Sequence, residues 1–494
     1  MKNFFLLLLC LISPVCLFGQ SLENYRKAFS YLDKSITVTA PTPLDRVQIS
    51  AKGTIFNLGH YDVPEKTRMI PVEESYTYFR AEEVSGFKSI IQNNGNTYIR
   101  SVIAKADSLH QVDYYNPIVV KKSAKESGYE LAKVFPLQLL QFAHRHRRSL
   151  RYLGEQKGRI LLSFADEAAN QVTLYLNRQS FLLEKAERLF YDDRYGDTES
   201  ATEYRNYVKD NGIYYPKERV DYALGMVERQ LTYSGLKLNA AVPIGEVSPS
   251  WLPPSVKEGM AQKISRQDSL QVEQIAPNVS MIKIISRDNK VLIAEFNDYV
   301  ALLESPSGLA LNQQILSEVN KRYPTKPLRY VFVTHHHPDH AGGIRAYAGL
   351  PVTLVTTAGN KAFFEKMLNT THTLGGTGAA KNPRCQLDFV PLDGEKNFGD
   401  AQTQVIVYEI GKGTSHTNEH LVFYFPQHKL LWSGDLLFFR SDGRLYPAGN
   451  RGRAVYDLIK NKKLTVERIY TSWPLEGQAP FGTVEELNKA LSLN

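Results

Sequence analysis

The stretch Val333-Thr-His-His-His-Pro-Asp-His-Ala-Gly-Gly343 decides how this chain is read. It ends an apolar segment, Leu328–Thr334, that has the character of a short buried strand. A loop then offers His335, His337, Asp339 and His340 in the spacing H-x-H-x-D-H. Only 12 His occur in the whole chain, so this density is not ordinary composition. Imidazole and carboxylate together suit zinc and related divalent ions. Pro338 stiffens the loop, and Gly342 and Gly343 allow tight passage into the next helix. Two further groups lie downstream at junctions of strand and loop. Gly413-Thr-Ser-His416-Thr417 precedes an apolar strand, His420–Pro426, and Lys429–Ser433 runs into Gly434-Asp435. His416 and Asp435 can therefore meet the first cluster at one edge of a pair of sheets. A surface histidine cluster would leave these two groups unexplained.

Working outward, Val272–Ser286 and Lys290–Glu304 read as strands, and Leu309–Tyr323 as a helix closed by Pro324. Helix and strand patterns then alternate to a last helix, Val484–Leu493. The region 271–494 has the length of a single domain. Before it, Val247-Ser-Pro-Ser-Trp-Leu-Pro-Pro254 reads as an extended linker spanning 247–270. Residues 20–246 are strand-rich. Arg159–Phe164, Gln171–Leu176, Phe181–Tyr191, Thr202–Val208 and Met226–Asn239 carry β-branched and aromatic residues. Asp192-Asp193, Gly196-Asp197, Asp210-Asn211-Gly212 and Pro216 punctuate them as turns, which implies an antiparallel sheet. From about Ser21 to Leu153, helical patterns at Leu22–Leu32 and Lys122–Leu140 mix with short strands. The expected fold class is α+β.

Residues 1–19 read as a signal peptide: Lys2, an apolar run Phe4–Ile12, then small and polar residues near Gly19. The run is too short for a membrane span, which needs about 20 apolar residues. Export to the periplasm or the medium follows. Lipidation at Cys16 is the second reading, because Val15 stands where such signals want a small residue. Cys10 and Cys16 leave with the leader, so Cys385 is the single mature thiol and no internal disulfide forms. We read it as a packed thiol rather than a nucleophile. At 494 residues, 43% hydrophobic and 22% charged, the chain is a folded protein and not a disordered, collagen-like or disulfide-scaffold one. The net charge of +8 is mild for this length and does not indicate a nucleic-acid partner. The run His144-Arg-His-Arg-Arg148 reads as a solvated helix end, since His at i and i+2 face apart. No strand leads into Gly375-Gly-Thr-Gly378, so it reads as a loop rather than a phosphate cradle.

The order H-x-H-x-D-H, then H-T before a strand, then an apolar strand ending in S-G-D, resembles the metallo-β-lactamase superfamily of hydrolases. The resemblance covers about Val272 to Asn494. It implies an αβ/βα sandwich with a binuclear metal site at one edge. It implies that His335, His337 and His416 hold a first metal, that Asp339 and His340 hold a second, and that Asp435 bridges them. The expected cofactor is Zn2+, one or two per chain. Three histidines with an open position are the pattern of a catalytic rather than structural zinc site. The implied activity is hydrolysis by zinc-bound hydroxide, with Asp339 as the catalytic group that orients the water and moves its proton. The scissile bond would be an ester, thioester, lactone, amide or phosphodiester in a small molecule.

One departure stands out. Such folds usually bring a last histidine from a loop after a late strand, but no His follows His428. Trp473 stands about where that ligand would be. The second metal would be completed by water or by an unmatched group such as His420 or Glu476. The first half resembles the curved sheet of periplasmic lipoprotein carriers, through Val172-Thr-Leu-Tyr-Leu-Asn177, Leu182–Leu189, Tyr204–Tyr207 and Lys237-Leu-Asn239. That resemblance leaves open a contact with a lipid or a membrane surface. It also supplies the alternative function, a periplasmic hydrophobic-ligand-binding protein with a degenerate metallo-β-lactamase domain. A redox enzyme on the same fold would need a flavin or another electron carrier, and the sequence carries no sign of one.

Overall fold

The computed structural model describes residues 21–493 except 81–83, 94, 106–107, 114–117, 124–127, 240–269 and 376–382. The leader, nearly all of the linker and the middle of the Gly375 loop lie outside the described residues. Among those described, no helix is long and apolar enough to cross a membrane.

The first half is one antiparallel sheet of 13 strands. The chain enters at its centre with Arg46–Leu58. It steps outward through Thr67–Phe79, Val84–Asn93, Asn96–Lys105 and Ser108–Asp113 to Ile118–Ser123 at one edge. Two helices, Gly128–Ala132 and Pro136–Arg145, carry it to the opposite edge at Arg151–Gln156. From there Arg159–Ala165, Gln171–Asn177, Leu183–Asp192, Gly196–Asp210 and Ile213–Ala223 lead back inward to Met226–Leu238, which pairs with Arg46–Leu58. The apolar face is covered. Helix Leu22–Thr39, started by the Ser21 hydroxyl accepting from the Asn24 N–H, lays Ala28 and Leu32 on it. Leu139, Leu140 and Phe142 of the third helix meet Leu162, Leu174 and Leu176 of the strands. The strand expectations from Arg159 onward agree with this sheet.

Two expectations were too cautious about strands. Pro216 is not a turn but lies inside Ile213–Ala223, opposite Tyr207, where the ladder skips Asn206 at φ +57°. The early strands are not short: Arg46–Leu58 and Thr67–Phe79 each run 13 residues. The helical pattern expected over Lys122–Leu140 divides into the end of one strand and two helices.

The second half is two facing sheets with helices outside, the αβ/βα order expected. Leu270–Ala276, Val279–Ile284, Asn289–Glu295 and Val300–Leu303 run antiparallel. Leu328–Phe332, Thr353–Thr357 and Gln386–Val390 then add in parallel. The facing sheet is Glu395–Gly399, Gln404–Glu409, Leu421–Phe425, Leu430–Trp432 and Arg468–Tyr470. Leu292, Ala301, Phe332, Phe423 and Trp432 fill the space between, with none of them exposed. Helices Leu309–Arg322 and Lys361–Leu368 cover one sheet, and Gly449–Asn461 and Val484–Leu491 the other. Strands buried on both faces explain the continuous apolar runs Val300–Leu303 and Leu421–Phe425.

The two halves touch through turns of the large sheet. Asp193 accepts from the backbone N–H groups of Leu309 and Ala310, and Asp197 from those of Thr373 and Leu374. Gly196, at φ +73°, leaves no room for a Cβ, which would sit 2.0 Å from the Thr371 carbonyl oxygen. His146, in the basic run, is tied to Glu167 at 3.1 Å and stacks on Phe164, away from any metal-like cluster. Cys385 is half-buried, and burial raises its pKa, which fits an unreactive thiol.

Candidate metal centre

Four chain segments meet at one edge of the sandwich. Residues 333–340 leave the strand Leu328–Phe332, residues 414–420 lead into Leu421–Phe425, and residues 433–435 leave Leu430–Trp432. The segment 471–476 follows Arg468–Tyr470. Backbone bonds sew them together: Leu421 N–H to Thr334 O at 2.8 Å, Ser433 N–H to Tyr470 O at 3.0 Å, and Ser472 N–H to Gly434 O at 2.8 Å. Gly434 takes φ +65°, and a Cβ there would press on His420 Nε2 at 3.0 Å. Only glycine lets the strand end turn Asp435 inward at this point.

The side chains converge. His335 Nε2 lies 3.1 Å from His416 Nε2, and His416 Nε2 lies 3.0 Å from Asp435 Oδ2. His335 Nε2 is 3.9 Å from Asp435 Oδ1. The ring of His337 is centred 4.4 Å from that of His335 and 4.6 Å from that of His416. On the other side of Asp435, His340 Nε2 stands 3.9 Å from Asp435 Oδ2 and 3.5 Å from Asp339 Oδ2. All six expected residues are therefore neighbours. His420 joins them, stacked on His335 at 4.7 Å, with ligand-capable atoms of His335, His416, His420 and Asp435 all within 4.8 Å of one another. Its Nε2 faces the Ser433 carbonyl at 3.3 Å and must donate there, so the lone pair is on Nδ1. The Glu476 backbone N–H donates to Asp288 at 2.9 Å. Trp473 is half-exposed.

Sequence reading missed the groups that aim these ligands. Glu304 is fully buried and takes φ +86° at the end of Val300–Leu303. It accepts from the Thr334 hydroxyl at 2.8 Å, from Trp432 Nε1 at 3.3 Å and from His340 Nδ1 at 3.1 Å. That fixes the His340 tautomer and turns its Nε2 toward the cluster. Thr334 Oγ1, having donated to Glu304, accepts from His335 Nδ1 at 3.0 Å, so the His335 lone pair also faces inward. His337 Nε2 donates to the Tyr61 carbonyl at 3.0 Å, from a turn of the first half. The one signal for Glu304 in the sequence was a lone charged residue ending an apolar strand.

The charges are those of a cation site. Burial, followed by the neighbouring imidazoles, holds His335 and His337 far below the ordinary histidine range, and burial holds His420 down to about 3. These rings are neutral at pH 7 and have lone pairs to give. Burial opposes ionisation of Asp435 and Asp339, yet the surrounding imidazoles outweigh it and keep both carboxylates well below their usual range. His340 alone is raised: burial disfavours its charge, but Glu304, Asp339 and Asp435 outweigh burial. Among the described residues, buried polar atoms without a hydrogen-bond partner remain at His340 Nε2, Asp339 Oδ1, Asp435 Oδ1 and His420 Nδ1. Such atoms are costly unless something meets them. His335 Nε2 and His416 Nε2 stand 3.1 Å apart, so a proton or a cation lies between them. The residues fit a divalent ion with nitrogen and oxygen ligands.

A family model described as Metallo-beta-lactamase superfamily matches residues 291–473. The metallo-beta-lactamase type 2 of Elizabethkingia meningoseptica is 30% identical over 138 residues, 28% of this chain and 48% of that protein. The hydroxyacylglutathione hydrolase of Bartonella tribocorum is 34% identical over 170 residues, 34% of this chain and 54% of that protein. The chain thus spans about half the length of these curated relatives. Among solved structures, a metallo-beta-lactamase from Pontibacter korlensis aligns over 46% of this chain and 98% of its own at 20% identity, with a TM-score of 0.33. The C-terminal half of this chain, matched over residues 291–473, belongs to the metallo-beta-lactamase superfamily.

Proposed function

We propose that the protein is a metal-dependent hydrolase of a small molecule, acting on an ester, thioester, lactone, amide or phosphodiester bond. The observation that carries this reading is the convergence of His335, His416, Asp435, Asp339 and His340, several of whose buried polar atoms have no hydrogen-bond partner among the described residues. The named relatives, a beta-lactamase and a hydroxyacylglutathione hydrolase, are also proteins named for bond cleavage. His335, His337 and His416 would hold one zinc ion, Asp339 and His340 a second, with Asp435 between them. When bound, zinc supplies Lewis acidity and lowers the pKa of water to about 7. The chain supplies the rest. Thr334, Glu304 and the Tyr61 carbonyl hold the imidazoles in one orientation, so little reorganisation accompanies the reaction. Asp339 stays ionised at neutral pH and is placed to accept a proton from an attacking water.

The test is metal content of the purified chain, followed by a hydrolysis panel covering the five bond classes. His337→Ala should abolish metal-dependent turnover; full activity in that variant refutes the ligand assignment. We also propose that the protein is exported, on the strength of Lys2 and the apolar run Phe4–Ile12. A mature N-terminus that begins at Met1 would rule this out.

A further inference from the structure

The turn between Arg46–Leu58 and Thr67–Phe79 lies outside the family match, yet it sits against the metal centre. Gly59 takes φ +77°, and a Cβ there would touch Pro338 Cγ at 3.3 Å. On the other side of the turn, the Tyr61 carbonyl accepts from His337 and the Asp62 carbonyl accepts from the Asn418 N–H at 2.8 Å. These contacts fix the residue between them, His60. Its ring is centred 5.2 Å from that of His337, and its Nε2 lies 3.6 Å from Asp339 Oδ1. His60 Nδ1 and Asp339 Oδ1 are both buried without a hydrogen-bond partner, as is His340 Nε2 beyond them.

Pair by pair, neighbouring donors are spaced as ligands of one ion are, with Asp339 meeting His60 through Oδ1 and His340 through Oδ2. Two ligands of a tetrahedral zinc, each about 2.0–2.2 Å from it, stand about 3.3–3.6 Å apart. His60 to Asp339 is 3.6 Å, His340 to Asp339 is 3.5 Å, and His340 to Asp435 is 3.9 Å. This is also the half of the site that lacks its last histidine, because no His follows His428. We infer that His60 is a metal ligand. The first hairpin of the N-terminal sheet supplies the imidazole that completes the Asp339–His340–Asp435 position. The metal centre is thus built from both halves of the chain, and the N-terminal sheet is part of the catalytic unit. The inference rests on the metal-dependent reading above.

The experiment uses the full-length mature chain, stripped of metal and titrated with zinc and with cobalt(II), in three forms: unsubstituted, His60→Ala and His60→Cys. The unsubstituted chain should take two equivalents. His60→Ala should keep the first equivalent and bind the second at least about 10-fold more weakly, the lower bound for losing even an outer partner of a ligand. His60→Cys should add a near-ultraviolet thiolate-to-cobalt charge-transfer band that the unsubstituted chain lacks, despite its Cys385. His60 is on a turn with its side chain 38% exposed, so neither change removes core packing. Two equally tight equivalents in His60→Ala, or no thiolate band in His60→Cys, overturns the inference and leaves the hydrolase reading standing. A single equivalent in the unsubstituted chain that excess metal does not increase also overturns it. No metal in any form overturns the hydrolase reading as well.

Discussion

The molecule buries two clusters of charge, and they are built on opposite logic. In the N-terminal sheet, Glu74, Arg219 and Asp221 are almost wholly buried. Glu74 meets Arg229 through one oxygen and Arg219, at 3.2 Å, through the other. Asp221 meets Arg219 at 3.2 Å and the Thr202 hydroxyl at 2.8 Å. Every carboxylate oxygen there has a partner supplied by the chain, and the atoms left over, Nε and Nη1, are on Arg219. At the edge of the C-terminal sandwich the reverse holds. Asp339 and Asp435 each keep a buried oxygen without a hydrogen-bond partner, and His340 keeps a buried nitrogen without one. A buried charge that the chain neutralises itself contributes to structure. Buried carboxylate oxygens left open beside several imidazoles mark where a cation can bind.

The sharpest way to break this contrast is Arg219→Met. Removing one partner of a buried ion pair leaves Glu74 and Asp221 uncompensated and costs about 3–5 kcal/mol. Denaturant unfolding should show that loss while the native protein still takes up metal. If metal uptake falls in proportion, the two clusters are not separate in purpose. The same cluster sets an acid limit. Burial disfavours ionised Asp221, but Arg219, Lys133 and Arg229 outweigh it and lower its pKa in the folded state. Its contribution is therefore complete above the unfolded carboxylate pKa of about 3.9 and is lost as pH falls through the lower folded value. Unfolding midpoints measured from pH 6 downward should decline below about pH 4, and Asp221→Asn should flatten that decline.

Glu304→Gln comes next in size and probes the open cluster. The amide keeps the shape and one acceptor oxygen for Thr334 Oγ1, Trp432 and His340, but it sets an NH2 where Oε2 accepted the Thr334 N–H at 3.3 Å and removes the charge facing His340. Loss of such an outer partner weakens metal affinity about 10–100-fold. Chelator competition should show that drop, and because Glu304 is wholly buried the unfolding midpoint of the metal-free protein should fall as well. An unchanged affinity would mean that His340 is aimed by packing alone.

How much of this was legible in the sequence follows from the range of each contact. H-x-H-x-D-H is a local spacing, and His416 and Asp435 were found because strand ends border loops. Glu304 reaches Thr334 from 30 residues away, and Tyr61 reaches His337 from 276 residues away. No local pattern encodes either contact; only the sheet topology brings them together. The early strands were under-read for a related reason. Gly53 sits inside Arg46–Leu58, where glycine ordinarily reads as a break. In the fold a Cβ there would lie 2.0 Å from the Gln230 carbonyl oxygen, so glycine is what allows the close approach of Met226–Leu238. Pro216 misled in the same way. It occupies a strand position where the ladder beside it is already interrupted at Asn206.

The smallest expected effect tests how firmly the two halves are joined. Helix Leu309–Arg322 begins after Gly308, which has no side chain to cap it. Asp193, in a turn of the N-terminal sheet, does so instead. Its carboxylate accepts from the Ala310 N–H at 3.0 Å and its carbonyl from the Leu309 N–H at 2.9 Å. A Cβ at Gly308 would stand 2.2 Å from Asp193 Oδ2 and push the carboxylate off the cap. The carboxylate also sits at the positive end of the helix dipole. Asp193→Ala should therefore cost about 1 kcal/mol, the usual value of an N-cap, although the cap and the helix belong to different halves. Because the same sheet carries His60, loosening this cap should lower second-metal affinity slightly as well. A loss of stability with no change at the metal would mean that the His60 turn is held by its own contacts to His337 and Asn418, independently of Asp193.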